Sequence, residues 1–145
     1  MKSGKFLSIE EKLQVTNAIK AAELNTSGEI RVHIESSIKG EVLDRAAYLF
    51  EVVEMHKTKD RNGILFYLAE KSRKFAILGD AGINAKVPSD FWDKIKEKMA
   101  DHFSEGNFAA GLSEGIQLAG EQLKIHFPYQ KDDVNELSDE ISFGK

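Results

Sequence analysis

Cysteine is absent from this chain of 145 residues, so disulfides, thiolate metal sites and cysteine nucleophiles are excluded together. Proline occurs only twice, and both residues punctuate the chain: Pro88 precedes an expected helix and Pro128 stops one. No apolar run approaches the length needed to span a bilayer, and the N-terminus has no apolar h-region. The chain therefore reads as soluble and cytoplasmic, with no transmembrane segment. An excess of positive charge is also missing, since 20 lysines and arginines face 24 aspartates and glutamates for a net charge of -4. Nucleic-acid binding through a basic face is not expected. The four histidines, His33, His56, His102 and His126, are scattered and form no two-histidine ligand pair. No Walker-type Gly-Lys-Ser/Thr occurs, and Gly79-Asp80-Ala81-Gly82 lacks the longer dinucleotide fingerprint, so nucleotide binding is not expected either. There is no internal repeat.

What is present is enough for one core. The organising stretch runs from Asp60 to Gly82 and reads as a β-hairpin, with apolar runs Ile64 to Ala69 and Phe75 to Leu78 joined by Glu70-Lys71-Ser72-Arg73-Lys74. The first run has no polar interruption and predicts a central strand covered by helices on both faces. Ahead of it, Ser8 and Glu11 form a capping box that opens a helix, whose expected apolar stripe includes Ile9, Leu13, Ala18 and Ala22. Glu29 to Glu35 alternates cleanly and predicts a half-buried strand towards a sheet edge, with Glu29, Arg31, His33 and Glu35 on the polar face. Val42, Ala46, Leu49, Phe50 and Val53 mark a second helix, so strand, helix and strand follow in order as a parallel crossover. Trp92, Ile95, Met99 and Phe103 mark a third helix after Pro88-Ser89-Asp90, and Phe108 to Phe127 a fourth, in which Gly111 and Gly115 leave room for a close neighbour. The predicted class is α/β: a three-layer α/β/α sandwich around a central mixed β-sheet.

A hairpin returns the chain to where it began. Asp60, Asn62 and Gly63 must lie beside Gly79 to Gly82, and a parallel first strand brings Ser27-Gly28-Glu29 to the same end. Glu29, Asp60 and Asp80 then converge with Asn62, and Asp90 is a fourth candidate carboxylate. Hard oxygen donors on glycine-rich loops suit calcium or magnesium. The competing reading is that these are turn residues whose side chains bond nearby amides. Ser72-Arg73-Lys74 could hold a phosphate, but it lies at the other end of the hairpin, where a charged turn suffices.

Taken in order, Thr26-Ser27-Gly28-Glu29-Ile30-Arg31-Val32, Asp60-Arg61-Asn62-Gly63-Ile64-Leu65, Ser72-Arg73-Lys74-Phe75-Ala76-Ile77, Gly79-Asp80-Ala81-Gly82 and Phe103-Ser104-Glu105-Gly106-Asn107-Phe108-Ala109-Ala110-Gly111 resemble the TPM domain family. That family takes its name from a chloroplast thylakoid-lumen phosphatase and is widespread in bacteria. The resemblance spans residues 6–128. It divides the chain into a TPM domain, residues 1–128, and an acidic tail, residues 129–145, disordered or loosely docked. It implies an α/β/α sandwich, divalent-metal binding and the acid phosphatase-like activity attributed to some plant members. Many members also carry an export signal and a membrane segment that this sequence does not show, so the membrane-repair context is not expected to carry over. The expected function is binding of a divalent cation, calcium or magnesium, at the Glu29, Asp60, Asn62, Asp80 and Asp90 loop edge, with metal-assisted hydrolysis of a phosphoester substrate. No residue reads as a general acid, so catalytic residues stay unassigned. The alternative is a non-catalytic module that binds a protein partner and uses the cation to stiffen its loops.

Overall fold

In the computed structural model, residues 6–128 and 141–144 are described. Helix α1 (Ile9–Glu23) starts where the capping box requires: the Glu11 amide donates to Ser8 Oγ at 3.1 Å and the Ser8 amide to Glu11 Oε1 at 2.9 Å. There follow β1 (Glu29–Glu35), α2 (Val42–Val52), a 3-10 turn at Met55–Lys57, β2 (Gly63–Ala69) and β3 (Lys74–Gly79). The short α3 (Ala81–Asn84), α4 (Phe91–Ser104), α5 (Phe108–His126) and β4 (Ser142–Phe143) complete the order. The strands form one mixed sheet in the order β3-β2-β1-β4. β1 runs parallel to β2 with Glu29 opposite Gly63, and β3 returns antiparallel with Gly79 opposite Ile64.

Every residue of β2 is buried, as its uninterrupted apolar run predicts. Ile64, Phe66 and Leu68 join Ile30, Val32 and Ile34 against α1, α4 and α5, while Leu65, Tyr67 and Ala69 pack with Ala46, Leu49 and Met55 beneath α2 and the 3-10 turn. The α/β/α sandwich is therefore unequal, with the larger core on the three-helix side. In α5, Gly111 lies against Phe103 and Gly115 against Met99, where any side chain would collide. Among the described residues no helix is long and apolar enough to cross a membrane.

Three expectations change. The α1 stripe is displaced in its first half: Ile9 and Leu13 are 76% and 56% exposed and Val15 and Ile19 are buried instead, while Ala22 is buried and Ala18 packs against the core as expected. Apolar residues occupy more than one face of this helix, so periodicity alone did not select the face that meets α5. The polar face of β1 is not solvated, because Glu29, His33 and Glu35 are all buried. Nor does the strand lie at the edge throughout, since β4 pairs with it at His33 and Ile34. Of the acidic tail, residues 141–144 dock along β1, with the Gly144 amide donating to the Ile34 carbonyl at 2.8 Å; residues 129–140 and 145 lie outside the described residues.

Candidate functional site

Strand directions bring the segments around Ser27–Glu29, Asp60–Gly63 and Gly79–Gly82 to one end of the sheet. The Asp80 amide donates to the Gly63 carbonyl at 2.9 Å, and the Gly82 amide to the Arg61 carbonyl at 2.7 Å. A Cβ on Gly82 would collide with the carbonyl oxygens of Asp60 and Arg61, so the crossing of these two loops requires glycine. The Asn62 amide donates to Thr58 Oγ1 at 3.2 Å, which pins the turn leading into β2.

Within this frame Asp60, Asn62 and Ser27 form one hydrogen-bonded chain. Ser27 Oγ donates to Asp60 Oδ2 at 3.3 Å and accepts from Asn62 Nδ2 at 3.1 Å. Asn62 is buried, and its Oδ1 has no hydrogen-bond partner among the described residues. Asp80 sits apart from this chain electrostatically. Its carboxylate is gripped by Arg61, Nε to Oδ2 at 2.6 Å and Nη2 to Oδ1 at 2.8 Å, and also accepts the Ala81 amide at 2.8 Å as the N-cap of α3. Those hydrogen bonds raise the Arg61 guanidinium above its ordinary value. The Arg61 side chain is half exposed and its backbone is left-handed at φ 52°. Glu29 is buried where β1 starts, on the α2 side of the sheet. Asp90 points elsewhere: it precedes α4 without capping it and pairs with Lys94 at 3.2 Å.

The backbone segments thus meet as expected, but the side chains do not form one carboxylate cluster. Among the described residues no group of three or more acidic or histidine side chains could hold a metal ion as they stand. The donors that do meet are the carboxylate of Asp60, the amide oxygen of Asn62 and the hydroxyl of Ser27, all hard oxygens. Buried amide oxygens are normally satisfied, so the open Asn62 Oδ1 fits a cation or an ordered water beside it.

A second polar cluster lies on the α2 face and was not foreseen as a unit. Glu35, 4% exposed, receives Arg45 Nε at 2.9 Å and Nη2 at 2.6 Å, and the Tyr67 hydroxyl at 2.6 Å. Burial by itself would raise the Glu35 carboxyl, yet the hydrogen bonds from Arg45 and Tyr67 outweigh it and bring it down to about 2. His33 Nε2 lies 3.5 Å from Glu35 Oε2, and its Nδ1 is 2.7 Å from Ser142 Oγ on β4. Burial lowers the His33 imidazole, against the pull of Glu35. Ser27 and Arg61 are the residues whose side-chain roles the motifs did not disclose. Both flank residues already singled out, and that adjacency is the signal that could have found them.

The fold and the motif order define a known class. The profile described as the TPM domain matches residues 1–122, and the chain belongs to that family. Among solved structures, the protein is similar to BA42 from the psychrophilic bacterium Bizionia argentinensis, at 46% identity over 97% of each chain with a TM-score of 0.89. It is also similar in fold to the N-terminal domain of a P. gingivalis protein, at 23% identity over 87% of this chain and 83% of that one, with a TM-score of 0.71. The N-terminal domain of cg2496 from Corynebacterium glutamicum matches at 16% identity, covering 83% and 76% of the two chains with a TM-score of 0.66. No curated protein matches the chain.

Proposed function

We propose that this TPM domain binds a divalent cation, calcium or magnesium, at the loop end of the sheet and uses it to act on a phosphoester. The observation that carries the reading is the buried, unpartnered Asn62 Oδ1 in a chain with Ser27 and Asp60. Asp60 and Asn62 would hold the cation, with the Ser27 hydroxyl beside them. One carboxylate is a weak charge complement for a divalent ion. Glu29, buried at the start of β1, and Asp80, once Arg61 swings into solvent, are the groups that would add charge. Arg61 has the freedom to do so because its side chain is half exposed. Asp90 is the least favoured of the five candidates, being committed to Lys94 outside the cluster.

Such a cation supplies Lewis acidity towards a phosphoryl oxygen and lowers the pKa of a bound water. The chain's own contribution is to orient it: Asp60 fixes the Ser27 hydroxyl, and the displaced Arg61 guanidinium is free to meet a phosphoryl oxygen. The test is phosphate release from an aryl phosphate by chelator-stripped protein, with and without added cation, in wild type and Asp60→Asn. Cation-dependent release that is lost in Asp60→Asn supports the reading. Release that is indifferent to cation and to Asp60 rejects it.

One observation favours the alternative, an interaction module without chemistry. Asp80 already has both a guanidinium and a helix amide, so its charge is balanced without a cation. On that reading the cation only stiffens the Asp60–Gly63 loop for a protein partner. Saturable cation binding with no phosphate release would select it.

A further inference from the structure

At the other end of the sheet, beside the hairpin connection, lies a cavity of about 650 Å³. It opens between the hairpin, the end of α4 and the start of α5. Four phenylalanine rings line it: Phe6 and Phe108 meet with centroids 4.7 Å apart, Phe103 and Phe108 at 5.2 Å, and Phe75 and Phe103 at 4.9 Å. All four are only half-buried, so each leaves ring surface uncovered. Leu68, at the end of β2, adds further apolar wall. A volume of this size falls within the roughly 300–1,000 Å³ typical of small-molecule sites.

The charged residues are confined to the hairpin side, where Glu70, Lys71 and Arg73 line the cavity, while Ser104 adds a hydroxyl from the end of α4. Lys71 and Arg73 are exposed, and neither side chain makes an ion pair with the described residues. Arg73 holds a left-handed backbone at φ 54°, a conformation that costs a non-glycine residue energy yet keeps a guanidinium at this turn. Glu70 Oε2 is buried with no hydrogen-bond partner among the described residues. Burial raises its carboxyl, with the charge of Lys71 opposing, so it holds its proton to higher pH than an ordinary glutamate.

We infer that this cavity is a binding site for a small amphipathic monocarboxylate, with its aromatic or branched apolar body against the phenylalanine rings and its carboxylate towards Lys71 and Arg73. The charge arrangement selects the head group. Lys71 and Arg73 set against Glu70 leave one net positive charge at this side of the cavity, which a single carboxylate balances, and the guanidinium offers it paired N–H donors. A phosphate dianion would exceed that charge and repel the Glu70 carboxylate more strongly. The apolar wall selects the body: flat rings offer stacking and edge contacts to another aromatic, and displacement of water from half-covered rings favours binding. This site is independent of the cation at the loop end and does not rest on the phosphoester reading.

The test is a titration of the full chain, in chelator, with 2-naphthoate and with its neutral methyl ester, followed by backbone amide shifts. The expected result is saturable naphthoate shifts at Leu68, Lys71–Phe75 and Phe103–Phe108, with weaker binding of the ester. The double variant Lys71→Gln/Arg73→Gln should lose about tenfold in naphthoate affinity and leave the ester unchanged. Ala100, exposed on α4 at the cavity's edge, provides a variant that spares the core. Ala100→Trp should abolish binding of both compounds while the native amide spectrum persists. The inference is overturned if naphthoate produces no saturable shift at these residues, if the ester binds equally well, or if the double variant binds naphthoate like the wild type.

Discussion

Two arginine–carboxylate pairs in this molecule have nearly the same geometry and opposite consequences. Arg45 grips Glu35 through Nε and Nη2 at 2.9 and 2.6 Å, and Arg61 grips Asp80 through the same atoms at 2.6 and 2.8 Å. Around Glu35 the remaining directions are closed by Tyr67, His33 and the docked residues 142–144, so the pair is fixed within the fold. Around Asp80 the guanidinium faces solvent, and its neighbours are a hydrogen-bonded chain of hard oxygens with one donor site open. The same chemistry thus serves structure where its surroundings are closed, and under the proposed cation binding it serves as exchangeable charge where they are open.

The largest break in this comparison should come from Arg45→Ala, which leaves a buried carboxylate without its cation. Loss of a fully buried partner costs about 3–5 kcal/mol, and the partial exposure of Arg45 reduces the expected loss to about 2 kcal/mol in urea unfolding. Tyr67→Phe removes a hydrogen bond to the same charged group and should cost about 1.5 kcal/mol. Glu35 also sets an acid limit. Its carboxyl falls from 4.5 to about 2 on folding, so its contribution is complete above pH 4.5 and disappears as the pH drops towards 2. The melting temperature should fall through that window, less steeply in Tyr67→Phe. At the open pair the effects move from stability to binding. Asp60→Asn should cost about tenfold or more in cation affinity with little change in unfolding. Arg61→Gln should cost some stability, less than Arg45→Ala because the Arg61 side chain is half exposed and Asp80 keeps the Ala81 amide, and should tighten cation binding, because Asp80 no longer has to exchange one cation for another; unchanged or weaker binding would remove Asp80 from the ligand set.

Much of the fold was legible because its signals are local. The Ser8–Glu11 box, the unbroken Ile64 to Ala69 run and the glycines of α5 each state their role within a few residues. The site was legible only at the level of backbone. Hairpin logic brought Asp60 and Asp80 to one end, but nothing in Asp60-Arg61-Asn62-Gly63 says that a left-handed Arg61 turns its guanidinium onto Asp80. The Glu35 cluster was hidden for a related reason. Strict alternation from Glu29 to Glu35 normally marks a solvated face, and its burial depends on Arg45, Tyr67 and Ser142, which are distant in the chain. The cavity joins Phe6, Phe75, Phe103 and Phe108 from four segments that share no sequence period.

The most direct test of the central claim is a calcium titration of chelator-stripped protein, repeated with magnesium and followed by backbone amide shifts. The account predicts saturable shifts at Ser27–Glu29, Asp60–Gly63 and Gly79–Gly82, with Glu35, Arg45 and Tyr67 unmoved. Silence at the loop end up to millimolar cation, or shifts centred on the Glu35 pair, would contradict it.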